Sequence, residues 1–179
     1  TYVVPDQSTF QWNFDSIFEK QTAPGLHAYS AGHGGANSAN YLTNAECSLV
    51  AELDPALVTH MVGSNDYRAR MSISDYKTNM LSRLEYLDSV LPSPTQHVLI
   101  QAYQRMDGAR DIPWDDYGLA LLEIASERDN TTFVDLSESY KPVGIPGTDP
   151  LGLLGSDNVH QVTAGYDFMA DLLTGYFIA

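Results

Sequence analysis

The 179-residue chain has a single cysteine, Cys47. An internal disulfide is therefore excluded, and so is a zinc site built from cysteines. Basic side chains are also few: 9 Lys and Arg stand against 23 Asp and Glu, giving a net charge of -14. Such a surface repels phosphate backbones and anionic lipids, so nucleic acid and anionic membranes are disfavoured as partners. No apolar run approaches the ~20 residues of a membrane span. The sequence contains no signal peptide, internal repeat or linker composition. With 44% hydrophobic and 18% charged residues, the composition is that of a globular protein, not a disordered one. The length suits one domain with a real core. Lysine is scarce while Tyr, Asn, Ser and Thr are plentiful, a mix compatible with an extracellular or secreted protein.

Periodicity predicts alternating strands and helices. Tyr2-Val3-Val4 is a short apolar run ended by Pro5. Ser8-Thr9-Phe10-Gln11 has the capping-box form, and Phe10, Phe14, Ile17 and Phe18 follow at helical spacing, predicting a helix from about Thr9 to Lys20. Strands are expected near 26–31, 57–62, 98–103 and 131–136. Helices are expected near 40–53, 74–91, 114–128 and 163–177. In the second of these, Tyr76, Met80, Leu84, Leu87 and Leu91 share one face. Residues 138–156 carry many Gly and Pro without clear periodicity, and so long a connector in a compact domain is often functional. The alternation predicts a helix-covered parallel sheet.

Three stretches carry candidate chemistry. In Val58-Thr59-His60-Met61-Val62-Gly63-Ser64-Asn65-Asp66 an apolar run stops abruptly in turn residues. That is how a buried strand surfaces at the carboxyl edge of a sheet, where α/β proteins bind ligands. Asn65 would stand at that edge with an amide able to donate, while Asp66 suits a helix cap better than a reactive role. His33-Gly34-Gly35-Ala36-Asn37 follows a predicted strand, and its glycines let backbone N–H groups face a ligand. Its glycine spacing is not that of a dinucleotide fingerprint. In Asp157-Asn158-Val159-His160 an Asp three residues before a His can fold its carboxylate onto Nδ1, leaving Nε2 to accept a proton. Each stretch alone also fits a plain turn. Together they describe an acyl-transfer site: two N–H donors for an oxyanion and an oriented imidazole to move the proton.

At these positions the sequence resembles the SGNH (GDSL-type) hydrolases, a flavodoxin-like group of serine esterases and lipases. The resemblance runs from about Trp12 to the C-terminus. Residues 29–37 look like the family's glycine block, with Gly35 as the oxyanion glycine. Met61-Val62-Gly63-Ser64-Asn65-Asp66 looks like its Gly-x-Asn-Asp block, making Asn65 the oxyanion amide. Asp157-Asn158-Val159-His160, followed by Thr163-Ala164-Gly165-Tyr166, looks like its Asp-x-x-His block and closing helix. The resemblance implies a three-layer α/β/α fold with a central parallel sheet, ester substrates ranging from small acyl and carbohydrate esters to lipids, and no cofactor; no arrangement of residues suggests a structural metal.

The family's Gly-Asp-Ser nucleophile block is not intact. Either Thr1 lies just past it, so that the nucleophile precedes Thr1, or Pro5-Asp6-Gln7-Ser8 is a degenerate form and Ser8 is the nucleophile. Asp15-Ser16-Ile17 is set aside, because Ser16 sits inside a helical pattern. Ser8 is thus the in-chain candidate. A non-catalytic binding or structural module on the same fold is the rival reading. Among the other histidines, His60 reads as a satisfied buried group, and His27 and His97 as packing or surface groups. His33 is a possible pocket residue. Trp114, Tyr103 and Tyr140 belong either to a cleft wall or to the core.

Overall fold

The computed structural model describes residues 31–108, 110–140, 149 and 151–177. Among them, α1 (Asn44–Glu52), β1 (Leu57–His60), α2 (Ser64–Ala69), α3 (Ile73–Val90), β2 (Gln96–Gln101), α4 (Trp114–Ser126), β3 (Thr131–Asp135), α5 (Ser137–Tyr140) and α6 (Thr163–Phe177) follow in chain order. They fall into two compact units. The first holds α1 to α5. The second holds residues 105–108 and the C-terminal segment that ends in α6. The Ser8 candidate and the helix and strand expected before residue 31 lie outside the described residues.

In the first unit the three strands are parallel, in the order β1-β2-β3. Leu57 pairs with Gln96 and His60 with Leu99, while His97 pairs with Thr131 and Gln101 with Asp135. Strand β2 lies in the middle and is buried from His97 onward, as expected of a strand covered on both faces. Its start is two residues earlier than the apolar pattern predicts, because Gln96 and His97 are polar but still inside the ladder.

Each helix forms for a local reason. Thr43 caps α1 in a reciprocal box: Thr43 N–H donates to Glu46 Oε2 at 2.6 Å, and Glu46 N–H donates to Thr43 Oγ1 at 3.3 Å. The helix therefore begins at Asn44, four residues after the predicted start. Its end is enforced at Asp54, with φ +45° just before Pro55. Ser72 Oγ accepts from Asp75 N–H at 3.1 Å and opens α3. Tyr76, Met80, Leu84 and Leu87 of α3 are fully buried, each worth about 1.5–3 kcal/mol of transfer free energy for a side chain of this kind. Helix α3 packs against α1 and α4, and α4 packs on β2 and β3. The α/β class and parallel sheet expected from the sequence are present.

In the second unit, α6 has the bounds that its periodicity predicts. The segment before it folds back on itself. Val162 N–H donates to Leu153 O at 2.9 Å and Gly155 N–H to His160 O at 2.7 Å, around an antiparallel bridge between Leu154 and Gln161. Gly165 is required here: a Cβ on it would lie 2.3 Å from the Leu153 carbonyl oxygen.

Among the described residues, no helix is long and apolar enough to cross a membrane.

Candidate functional site

The candidate residues form two groups, one in each unit. In the first unit, chain leaving β1 reaches Gly63, whose φ of +133° suits glycine, and turns directly into α2. The sequence suggested a plain turn here. Instead Ser64, Asn65 and Asp66 form the first turn of a short helix. Asn65 is half-buried, and its Nδ2 donates to Ala36 O at 2.8 Å. This bond fixes the amide plane. Gly35, just before Ala36, is exposed with φ +80°, and a Cβ there would meet nothing within 4 Å. Its glycine is thus required by backbone conformation and not by crowding.

The capping role expected for Asp66 is corrected. Helix α2 has no side-chain cap. The Asp66 carboxylate is fully buried and reaches back to the glycine turn. Ser38 N–H donates to its Oδ1 and Oδ2 at 3.0 and 3.1 Å, and Ser38 Oγ–H donates to Oδ1 at 2.5 Å. Burial pushes the carboxyl up, opposed by these Ser38 bonds. Sequence reasoning missed Ser38: the pair spans 28 positions, and no local pattern links them.

In the second unit, His160 Nδ1 lies 2.5 Å from Asp157 Oδ2. The other oxygen, Oδ1, accepts the backbone N–H groups of Val159 and His160 at 3.0 Å each. The His160 N–H, then its imidazole, then the Val159 N–H hold the Asp157 carboxyl well below the usual carboxylate range. An ionised Asp157 can only accept, so His160 Nδ1 carries a proton directed at it. Both side chains are half exposed. The loop is propped from behind by residues 105–108, where Met106 N–H donates to Asn158 O at 2.8 Å. Asn158 sits at φ +57°, a conformation asparagine tolerates well. Arg105, itself buried, is held by Asp107 through two bonds of 2.8 and 2.7 Å.

The remaining candidates have other roles. His33 is exposed. Trp114 and Tyr140 are buried; Trp114 Nε1–H donates to Ala102 O at 3.1 Å, and Tyr140 lies against Tyr103 with ring centroids 5.2 Å apart. His60 is a satisfied buried histidine, as expected, and His97 is its buried neighbour. His97 Nε2–H donates to Asp88 at 2.9 Å. His97 Nδ1 then accepts from His60 Nε2–H at 3.0 Å, and His60 Nδ1 accepts from Tyr41 O–H at 3.1 Å. Arg128 closes the chain on the other oxygen of Asp88. Among the described residues, no group of three or more His, Cys, Asp or Glu is placed to hold a metal ion.

No protein-family model matches this chain, and no curated protein matches it by sequence. Solved structures do match in fold. TesA superposes with a TM-score of 0.69 at 19% identity, over 96% of this chain and 89% of that one. A carbohydrate esterase family 3 protein from Talaromyces cellulolyticus gives 0.64 at 17%, over 87% and 76%. A catalytic mutant of an acetylxylan esterase from Geobacillus stearothermophilus gives 0.60 at 21%, over 79% and 67%. The chain therefore has the α/β fold of the SGNH-type hydrolases that its sequence blocks resemble.

Proposed function

We propose that the protein is a serine ester hydrolase working through an acyl-enzyme. The observation that carries this reading is the Asp157–His160 pair: a carboxylate anchored by two backbone N–H groups and bonded to Nδ1 at 2.5 Å. This arrangement turns a surface imidazole into an oriented base. The fold shared with several esterases supports it.

In this reading His160 Nε2 takes the proton of a serine hydroxyl as its Oγ attacks the acyl carbon. The tetrahedral oxyanion is held by the Gly35 N–H, the Asn65 side-chain amide and the serine's own N–H. His160 then gives its proton to the departing alkoxide, the C–O bond breaks and an alcohol leaves. Water repeats the cycle on the acyl-serine, releasing the acid. The serine is Ser8 or one preceding Thr1. The polar, Tyr- and Asn-rich composition favours small acyl or carbohydrate esters over long-chain lipids, and no cofactor is assigned. We assign the chain as one domain of this kind, acting outside the cell.

An organophosphonate serine probe followed by mass spectrometry tests the reading, beside turnover of p-nitrophenyl acetate. A label on Ser8 with turnover supports the esterase with Ser8 as nucleophile; a label on a serine preceding Thr1, in a chain that carries one, supports it with that nucleophile. No label and no turnover would leave a binding module on this fold.

A further inference from the structure

We propose that Asp66 is a positioning residue, whose buried carboxylate grips Ser38 and thereby holds the glycine turn in register with Asn65. The proposal rests on the esterase reading of Gly35 and Asn65 and extends it to a residue that touches no substrate.

Three observations carry it. First, Asn65 and Asp66 are consecutive on α2, and they hold Ala36 and Ser38, the residues flanking Asn37. Asn65 donates to the Ala36 carbonyl, and Asp66 accepts three contacts from Ser38. The turn beginning at Gly35 is thus pinned twice to the same first turn of helix. Second, the hydroxyl of Ser38 is spoken for. Asn79 Nδ2 donates to Ser38 Oγ at 3.1 Å, and of the two acceptors in reach of the hydroxyl proton, Asp66 Oδ1 at 2.5 Å is nearer than Met71 Sδ at 3.3 Å. Third, Asp66 and Ser38 are among the most buried polar residues of the first unit, at 0% and 1% exposure. A fully buried carboxylate is costly unless its bonds are made, and a turn needing only shape would be served by a neutral side chain. The rest of the turn is self-locked: Asn40 Oδ1 accepts from Asn37 N–H at 2.8 Å and Asn37 Oδ1 from Ala39 N–H at 3.0 Å. Rigidity inside the turn is therefore local, while its placement against α2 depends on the Asn65–Ala36 bond at one end and the Asp66–Ser38 bonds at the other.

The experiment compares Asp66→Asn, Ser38→Ala and Ser38→Thr in the full chain. Asp66→Asn keeps the shape and removes the charge; Ser38→Ala removes the hydroxyl; Ser38→Thr restores it. For p-nitrophenyl acetate, kcat is expected to fall about tenfold or more in the first two, the scale of a small misplacement of catalytic groups, with KM little changed. Ser38→Thr is expected to recover most of the loss. In parallel, the 15N order parameter of the Gly35 amide is expected to drop from about 0.85 towards about 0.6 in Ser38→Ala and return in Ser38→Thr. An unchanged Gly35 order parameter in Ser38→Ala overturns the proposal whatever the kinetics show. If Asp66→Asn does not fold, the Ser38 pair decides. A wild type without turnover sinks the esterase reading, and the order parameter then judges the clamp by itself.

Discussion

Asp157 and His160 are joined twice: through the Nδ1–Oδ2 contact at 2.5 Å and through the His160 N–H to Oδ1 at 3.0 Å. The two residues thus close a small ring that fixes the direction of the imidazole. Because both side chains are half exposed, replacing His160 by Ala should cost little stability. Turnover of p-nitrophenyl acetate should disappear, with the melting temperature nearly unchanged. Asp157→Asn should leave folding intact and lower kcat by about 10⁴, the effect of presenting the wrong tautomer. A variant within tenfold of wild type would remove Asp157 from the mechanism.

Asn65→Ala should cost about 10²–10³ in kcat, or roughly 3–4 kcal/mol of transition-state stabilisation. The same change also removes the bond to the Ala36 carbonyl, so its stability should be measured beside its rate. A loss of only a few-fold in a folded variant would rule out the oxyanion role.

Acid should destabilise the fold through the histidine pair. Burial, then the charge of His97 and of Arg128, lowers His60 from 6.5 to about 3, with Asp88 opposing. Burial likewise lowers His97 against the pull of Asp88, with Arg128 adding to the lowering. Native His60 therefore stays neutral where the unfolded chain's histidines take up protons. Between pH 6.5 and about 3 the unfolded state binds more protons at His60, so stability falls as pH falls. The slope should approach about 1.4 kcal/mol per pH unit for His60, with His97 adding in the same direction. Urea unfolding between pH 6.5 and 5, above the titration range of ordinary carboxylates, tests this. His60→Gln should flatten the slope, and an equally steep slope in that variant would assign it elsewhere.

Two glycines of α6 should respond in opposite directions. Gly165→Ala places a methyl 2.3 Å from the Leu153 carbonyl and should destabilise by about 1–3 kcal/mol, as overpacking does. It should also disturb the His160 loop, whose Val162 bonds that same carbonyl. Gly175→Ala meets nothing within 4 Å and should stabilise by up to about 1 kcal/mol through helix propensity. Chemical unfolding of the two variants gives both signs.

The parts legible in the sequence are those whose cause is local and repeated. Tyr76, Met80, Leu84 and Leu87 announce α3 because helical spacing recurs over 18 residues, and α6 is found to the residue for the same reason. Helix α2 is not legible: six residues are too few to show a period, and Gly63-Ser64-Asn65-Asp66 has turn chemistry. Strand β2 is placed late because its first residues are polar, and His97 is tolerated inside only because Asp88 and His60 satisfy it. Asp66 is misread for a similar reason, since its partner Ser38 is 28 positions away. Asp157 and His160 are found because three positions of spacing already imply the contact. Pairings between distant residues leave no periodic trace.

Cys47 of α1 is fully buried, and burial pushes its thiol up. Only the thiolate reacts. A thiol-directed label therefore waits until α1 lifts from α3, and its rate of attachment counts those liftings. The native chain carries its own stopwatch for local opening of this seam, with no engineered reporter needed.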